Sequence, residues 1–254
     1  MDKKLYDMIF KRKSFHLFRG IGNLNITNEE IEIINKKILE LIPLDKDIKT
    51  KIFISKDGAS CHRGQEYEIL FYSEKKDNYL QNIGYLGEQL DLFLATLNIG
   101  SLWFGIGKPK EEIVDGLNYV IMMAIAKVDD PKKFRSDMFK SKRKDLDVIW
   151  VNHGDNKYHD IVNICRFAPS ACNSQPWIIE TKDKEIMVSR YHNMKKRGIM
   201  PKDKVSFYNQ IDIGILLCFL ELSLDHENIS YDRIVYLELD HDGEMNLTAK
   251  YNIK

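Results

Sequence analysis

Two long helices, apolar on nearly every side, constrain this chain more than any other feature. Between Tyr79 and Asn98 the residues Leu80, Ile83, Leu86, Leu90, Phe93, Leu94 and Leu97 cover most of a helical circumference. Val205 to Leu224 has the same character. A helix that is hydrophobic all round has to be buried all round, so both belong at the centre of the fold. Laid on each other at an offset of 127 residues, they match Asn82 with Asn209, Gly87 with Gly214, Leu90 with Leu217, Leu97 with Leu224 and Asn98 with Asp225. Glycine inside a helix costs about 1 kcal/mol against alanine, so a matched pair points to two helices packed closely together.

The elements around these helices recur in order. Thr27-Asn28-Glu29-Glu30 reads as a capping box, with Ile31, Ile34, Ile38, Leu41 and Ile42 on one face behind it and Pro43 as the stop. Strands are expected over 51–55 and 67–73, with the helix 79–98 after them closed by Gly100 at its C-terminus, and then a strand over 119–128. The second half gives a helix over 161–167, strands over 177–181 and 185–190, the helix 205–224, and strands over 234–239 and 246–251 around an Asp242-Gly243 turn. This predicts an α+β fold of mainly antiparallel sheets packed on long central helices, in two pseudo-symmetric halves. The halves are expected over 1–128 and 150–254, joined by a charged connector over 129–149.

The 254 residues carry 38 Lys and Arg against 38 Asp and Glu, and this neutrality argues against nucleic acid as a partner. The eight-residue apolar run from Ile213 to Leu220 falls short of the roughly 20 that a membrane span needs, and the first residues lack the features of a signal peptide. Cys61, Cys165, Cys172 and Cys218 form no CxxC pair and no metal-ligand spacing, so no metal is expected and the thiols suit a reducing, cytoplasmic setting.

Three stretches have the composition of a binding site. Lys11 to Arg19 (KRKSFHLFR) sets cations and the Ser14 hydroxyl just behind an amphipathic first helix, a set able to hold a phosphate or to form a solvated face. Arg166 to Trp177 (RFAPSACNSQPW) places two prolines around small and amide residues, giving a rigid loop with Ser170, Asn173 and Gln175 as hydrogen bonders. Such a loop can read the edge of a planar heterocycle, or serve as a fixed turn into the next strand. Asn98 to Gly107 (NIGSLWFGIG) reads as a flexible glycine turn with Trp103 and Phe104 able to cover a ring. No GxGxxG opens a helix after a strand, so a Rossmann domain is not expected.

Taken together, these stretches resemble the nitroreductase family of FMN-dependent oxidoreductases. Lys11 to His16 is similar to the family's RxSxR opening, Ala168 to Trp177 to its APSAxNxQPW loop, Asn98 to Gly105 to its GLGxxWxG turn, and Arg143 to Asp147 to its late RKPLDE segment. The APSA loop comes last here, an order that resembles the divergent branch in which one chain carries two half-domains in place of a homodimer. The chain is accordingly expected as a monomer acting as a pseudo-dimer, or as a homodimer. The resemblance implies that Arg12 and Arg143 meet the FMN phosphate or ribityl end, with Lys13 and Ser14 near the phosphate and the pyrimidine edge. It implies that Ser170, Asn173 and Gln175 reach the flavin from the other half, on a loop shaped by Pro169 and Ala171. Trp103 and Gly105 belong to the third motif, Gly105 or a neighbour offering a backbone N–H to the flavin, and His16 replaces the second basic residue of the opening. NADH or NADPH is then the donor and a nitroaromatic, quinone or related electrophile the acceptor, in a ping-pong cycle with no catalytic side chain, because the flavin does the chemistry. A flavin-binding relative with altered or no reductase chemistry is the alternative.

Overall fold

Thr27 and Glu30 satisfy each other as the sequence predicts: the Glu30 N–H donates to Thr27 Oγ1 at 3.2 Å and the Thr27 N–H to Glu30 Oε2 at 3.0 Å. In this computed structural model, which describes residues 3–154, 156–191, 197–237 and 245–254, that capping box opens the second helix. The first half runs α1 (Lys4–Lys11), α2 (Asn28–Leu39), β1 (Thr50–Ser55), β2 (Tyr67–Ser73), α3 (Tyr79–Thr96), β3 (Ile99–Trp103), β4 (Ile113–Val114) and β5 (Leu117–Lys127). The connector follows, with 3-10 turns at Pro131–Lys133 and Met138–Lys140 and the short α4 (Leu146–Ile149). The second half runs β6 (Trp150–Val151), α5 (His159–Cys165), β7 (Trp177–Lys182), β8 (Glu185–Tyr191), α6 (Val205–His226), β9 (Tyr231–Val235) and β10 (Met245–Ile253).

The two sheets share one connectivity. The first is ordered β1-β2-β5-β3, with β4 also on β5, and the second β6-β7-β8-β10-β9. Dropping the short β6, which pairs parallel to β7, each sheet is hairpin, central helix, hairpin, and every remaining pairing is antiparallel. Between the sheets lies one continuous core that includes α3, α6 and α1. A smaller core covers the outer face of the first sheet, where Phe15 and Phe18 of the segment after α1 and Phe134 of the connector pack against Leu102 and Phe104.

Where α3 and α6 cross, a Cβ on Gly84 would stand 2.0 Å from the Ile211 carbonyl oxygen, and one on Gly214 1.9 Å from the Gln81 carbonyl oxygen. These contacts are reciprocal and set the correspondence at 130 residues, from Gly84 to Gly214; the offset of 127 is corrected. At 130 the helices match Ile83 with Ile213, Leu86 with Leu216, Leu90 with Leu220 and Leu94 with Leu224, and they pair Asn82 with Asp212 and Asp91 with Glu221. Gly87 serves a different need, making room for the Trp103 indole.

Two local expectations change. The left-handed residue behind α3 is Asn98, at φ 54°, while Gly100 lies inside β3, where a Cβ would stand 2.8 Å from the Phe15 ring. The stretch expected as a flexible turn is therefore, over 99–103, a strand buried on both faces, with Ser101 and Trp103 toward α3 and Leu102 toward the outer core. The Asp242-Gly243 turn and Leu239 lie outside the described residues. By length and composition α6, with the turn before it, could cross a bilayer, but 78% of its most apolar window is buried inside the protein.

Candidate functional site

The loop from Ala168 to Pro176 is the most strained segment described. Cys172 (φ 50°), Asn173 (φ 55°) and Gln175 (φ 47°) all take left-handed backbone, which costs roughly 1–2 kcal/mol for each non-glycine residue. Hydrogen bonds hold it in place. The Ala171 N–H donates to Asp212 Oδ1 at 2.9 Å, Ser174 Oγ lies 3.4 Å from Asp212 Oδ2 and from Asn209 Oδ1, and the Gln175 N–H donates to Ser170 Oγ at 3.0 Å. Pro169 is buried beneath the loop. Asp212 is itself buried on α6, and burial pushes its carboxyl up to about 8 although the Ala171 N–H and Ser174 hydroxyl pull it down.

The connector locks onto this loop. Arg143 Nη1 donates to Asn173 Oδ1 at 3.0 Å, and its Nη2 to the Phe167 carbonyl at 3.1 Å. Lys144 uses both ends on Gln175: its N–H donates to Oε1 at 2.8 Å and its Nζ to the backbone carbonyl at 2.6 Å. Four arginines meet beside this junction. The Arg135 N–H donates to the Lys11 carbonyl, which sets the connector against Arg12. Burial, then the charge of Arg12, pushes Arg135 down to about 10; burial, then Arg135, Arg12 and Arg166, does the same to Arg143. No ion pair among the described residues involves Arg135, Arg143 or Arg166, and the buried Nε of Arg143 has no hydrogen-bond partner. Of the four only Arg12 has carboxylates beside it, Asp91 and Glu88; the other cations cost energy that a bound anion returns.

The first half supplies the facing wall. Ser14 bridges to Ser101 at the free edge of β3, where the Phe15 N–H donates to the Ser101 carbonyl at 2.9 Å. Beyond β3, the Gly105 carbonyl accepts from the Tyr208 hydroxyl at 2.5 Å, and a Cβ on Gly105 would stand 2.9 Å from the Tyr208 ring. Tyr208, Asn209 and Asp212 lie within two turns of α6, so one helix end carries both the third motif and the loop.

The family described as "Putative TM nitroreductase" matches residues 4–224. This chain belongs to that nitroreductase family. Membership places it among the oxidoreductases, and the motif order seen here lies within the matched region. Among solved structures, a putative nitroreductase from Thermotoga maritima is 19% identical with a TM-score of 0.60; the match covers 98% of this chain and 92% of that one. A putative NADH oxidase from Clostridium acetobutylicum matches with a TM-score of 0.39 at 14% identity, over 57% of this chain and 98% of that one. No curated protein matches the chain.

The remaining motif residues are placed as follows. Arg12 is turned inward: its Nε donates to Asp91 Oδ2 at 2.7 Å, its Nη2 to Ser14 Oγ at 3.0 Å, and it is 3% exposed. Burial lowers its pKa, but Asp91 and Glu88 outweigh burial and raise it. Burial and Asp91 drive Glu88 well above the usual carboxylate range. Trp103 likewise faces α3, donating from Nε1 toward Glu88 Oε2 and Asp91 Oδ2 at 3.2 Å each, and is not placed to cover a ligand ring. Lys13 lies over the Phe15 ring at 4.9 Å, and His16 is exposed; neither touches the loop in the contacts described. Arg135, Tyr208 and Asp212 were not singled out by sequence. Of these, Asp212 had a signal, an acid inside an apolar helix needing a partner, whereas Arg135 is hidden in a charged run.

Proposed function

We propose that this nitroreductase is an FMN-dependent oxidoreductase whose single polypeptide replaces the two subunits of a homodimer, with halves over 1–128 and 150–254. The supporting observation is the set of Arg135, Arg143 and Arg166, in no ion pair among the described residues, against a strained amide-rich loop: a phosphate fits the first and a heterocycle edge the second. The residues fit the group. Arg143, with its orphaned buried Nε, and Arg135 would hold the phosphate, and Ser170, Asn173 and Gln175 would meet the ring system. Backbone groups near Gly105 would approach it from the other half. Arg12 acts one step back, fixing Ser14 and the edge of β3.

Bound there, FMN would supply hydride-transfer chemistry between NADH or NADPH and a nitroaromatic, quinone or similar electrophile. The chain's own part is to bind, orient and charge the site. Arginines at one end favour electron density on whatever they hold. Asp212 fixes the loop through the Ala171 N–H. We place the protein in a reducing compartment, in keeping with its four free thiols, two of them buried.

Steady-state rates with NADH or NADPH and a nitroaromatic varied together test the reading. Parallel double-reciprocal lines from FMN-loaded protein are expected. A protein that takes up no FMN, or that takes it up and turns over no acceptor, overturns it.

A further inference from the structure

We infer that each chain holds one flavin, and that the pseudo-symmetric position is sealed by the chain's own side chains, chiefly Arg233. The inference rests on the reading of the site given above and adds its stoichiometry. Shared sheet connectivity and the Gly84–Gly214 crossing relate β3 to β9, and the loop after α2 to the loop after α5. A second site, if the halves were equivalent, would lie between β9 and residues 42–48.

The starting geometry is indeed repeated. Pro43 stands where Pro169 does, and the Asp45 N–H donates to Asn82 Oδ1 at 3.1 Å just as the Ala171 N–H donates to Asp212 Oδ1 at 2.9 Å. From that anchor the two places diverge. Ser170 corresponds to Leu44, which is buried, and no residue from 40 to 49 takes left-handed backbone. The N–H and carbonyl of Ile42 are both consumed by the Gln89 side chain, at 3.1 and 2.8 Å.

The decisive difference lies on the strand. By register, with the β-bulges of the two sheets matched, Trp103 of β3 corresponds to Arg233 of β9, and Ser101 to Tyr231. Both pairs donate to the matched buried acids, Trp103 Nε1 and Ser101 Oγ to Asp91, and Arg233 Nη1 and the Tyr231 hydroxyl to Glu221. Trp103 has a single N–H, used on Glu88 and Asp91, so the space between β3 and the 168–176 loop is not spanned from that position. Arg233 does go further: its Nη2 donates to the Leu44 carbonyl at 2.7 Å, tying β9 to the loop across the matching space. Its charge is already paired with Glu221 at 2.7 Å. A phosphate arriving there finds an arginine already neutralised and a backbone already satisfied.

FMN titrated into the wild-type chain by fluorescence quenching, with chain concentration from amino-acid analysis, is expected to end at one equivalent per chain. Asn173→Ala, checked by circular dichroism, is expected to lose at least tenfold in affinity with no residual tight equivalent. Two equivalents for wild type, or one tight equivalent surviving in folded Asn173→Ala, would overturn the inference while leaving the flavin reading intact. No binding by wild type overturns both.

Discussion

The loop after α2 and the loop after α5 leave their helices through Pro43 and Pro169 and hang from matched positions on the central helices, Asn82 and Asp212. One is apolar and relaxed, with Leu44 and Ile48 buried; the other puts three left-handed residues into four positions. The fold therefore does not demand that strain, because the relaxed loop does the same structural job without it. Strain that the architecture can dispense with belongs to binding, and it sits where the arginines gather. The anchors differ in the same sense. An amide suffices for the relaxed loop, while the strained one hangs from a buried acid able to take both the Ala171 N–H and the Ser174 hydroxyl.

The comparison breaks most readily at the helix crossing. Gly84→Ala and Gly214→Ala each drive a methyl into backbone that cannot give way, so each is expected to cost about 4 kcal/mol or more, in similar measure because the contacts are reciprocal. Thermal melts of the pair check this, and an unchanged midpoint in either would remove the crossing as a shared constraint. Next in size, Arg12→Ala leaves Asp91 buried without its cation and should cost about 3–5 kcal/mol in denaturant unfolding. Arg233→Ala should cost less, since its partner keeps three tyrosine donors.

The anchors differ by a proton. Asp212, with a carboxyl at about 8 in the folded chain, binds a proton that the unfolded chain has released, so stability falls as pH rises from about 4 to about 8 and is level above that. Asp212→Asn removes that slope, which amounts to about 3 kcal/mol between pH 5 and pH 7. Equal slopes for both proteins in urea melts would mean that Asp212 is ionised in the fold. Arg143→Ala is expected to weaken FMN by about 2 kcal/mol while leaving the melting midpoint level or higher, since its charge is repelled by its neighbours. This is the reverse of the Arg12→Ala pattern, and it separates the arginine that binds from the arginine that supports. The smallest effect is Cys172→Gly, which relieves one left-handed residue and should stabilise by about 1 kcal/mol.

Local signals made much of this fold legible. The capping box at Thr27, the strand runs and the two buried helices were all readable because each is written within a few residues. What escaped depended on packing between distant segments. Gly100 looks like a helix end, but Asn98 takes the left-handed turn and Gly100 makes room for Phe15. Trp103 looks like a ligand cover, yet strand alternation turns it toward two buried acids on α3. The offset of 127 chose the wrong glycine because Gly87 is as small as Gly84, and only the crossing tells them apart. In the site, the loop motif was complete in sequence, whereas Arg135 and Asp212 gain meaning only once the connector and α6 are brought beside it.

The most direct measurement is the visible absorbance of the FMN-loaded protein under nitrogen as NADH or NADPH is added, followed by a nitroaromatic or quinone. The flavin colour is expected to bleach with one or both nucleotides and to return with the acceptor. Bound flavin that stays coloured with both nucleotides would contradict an oxidoreductase working through this site.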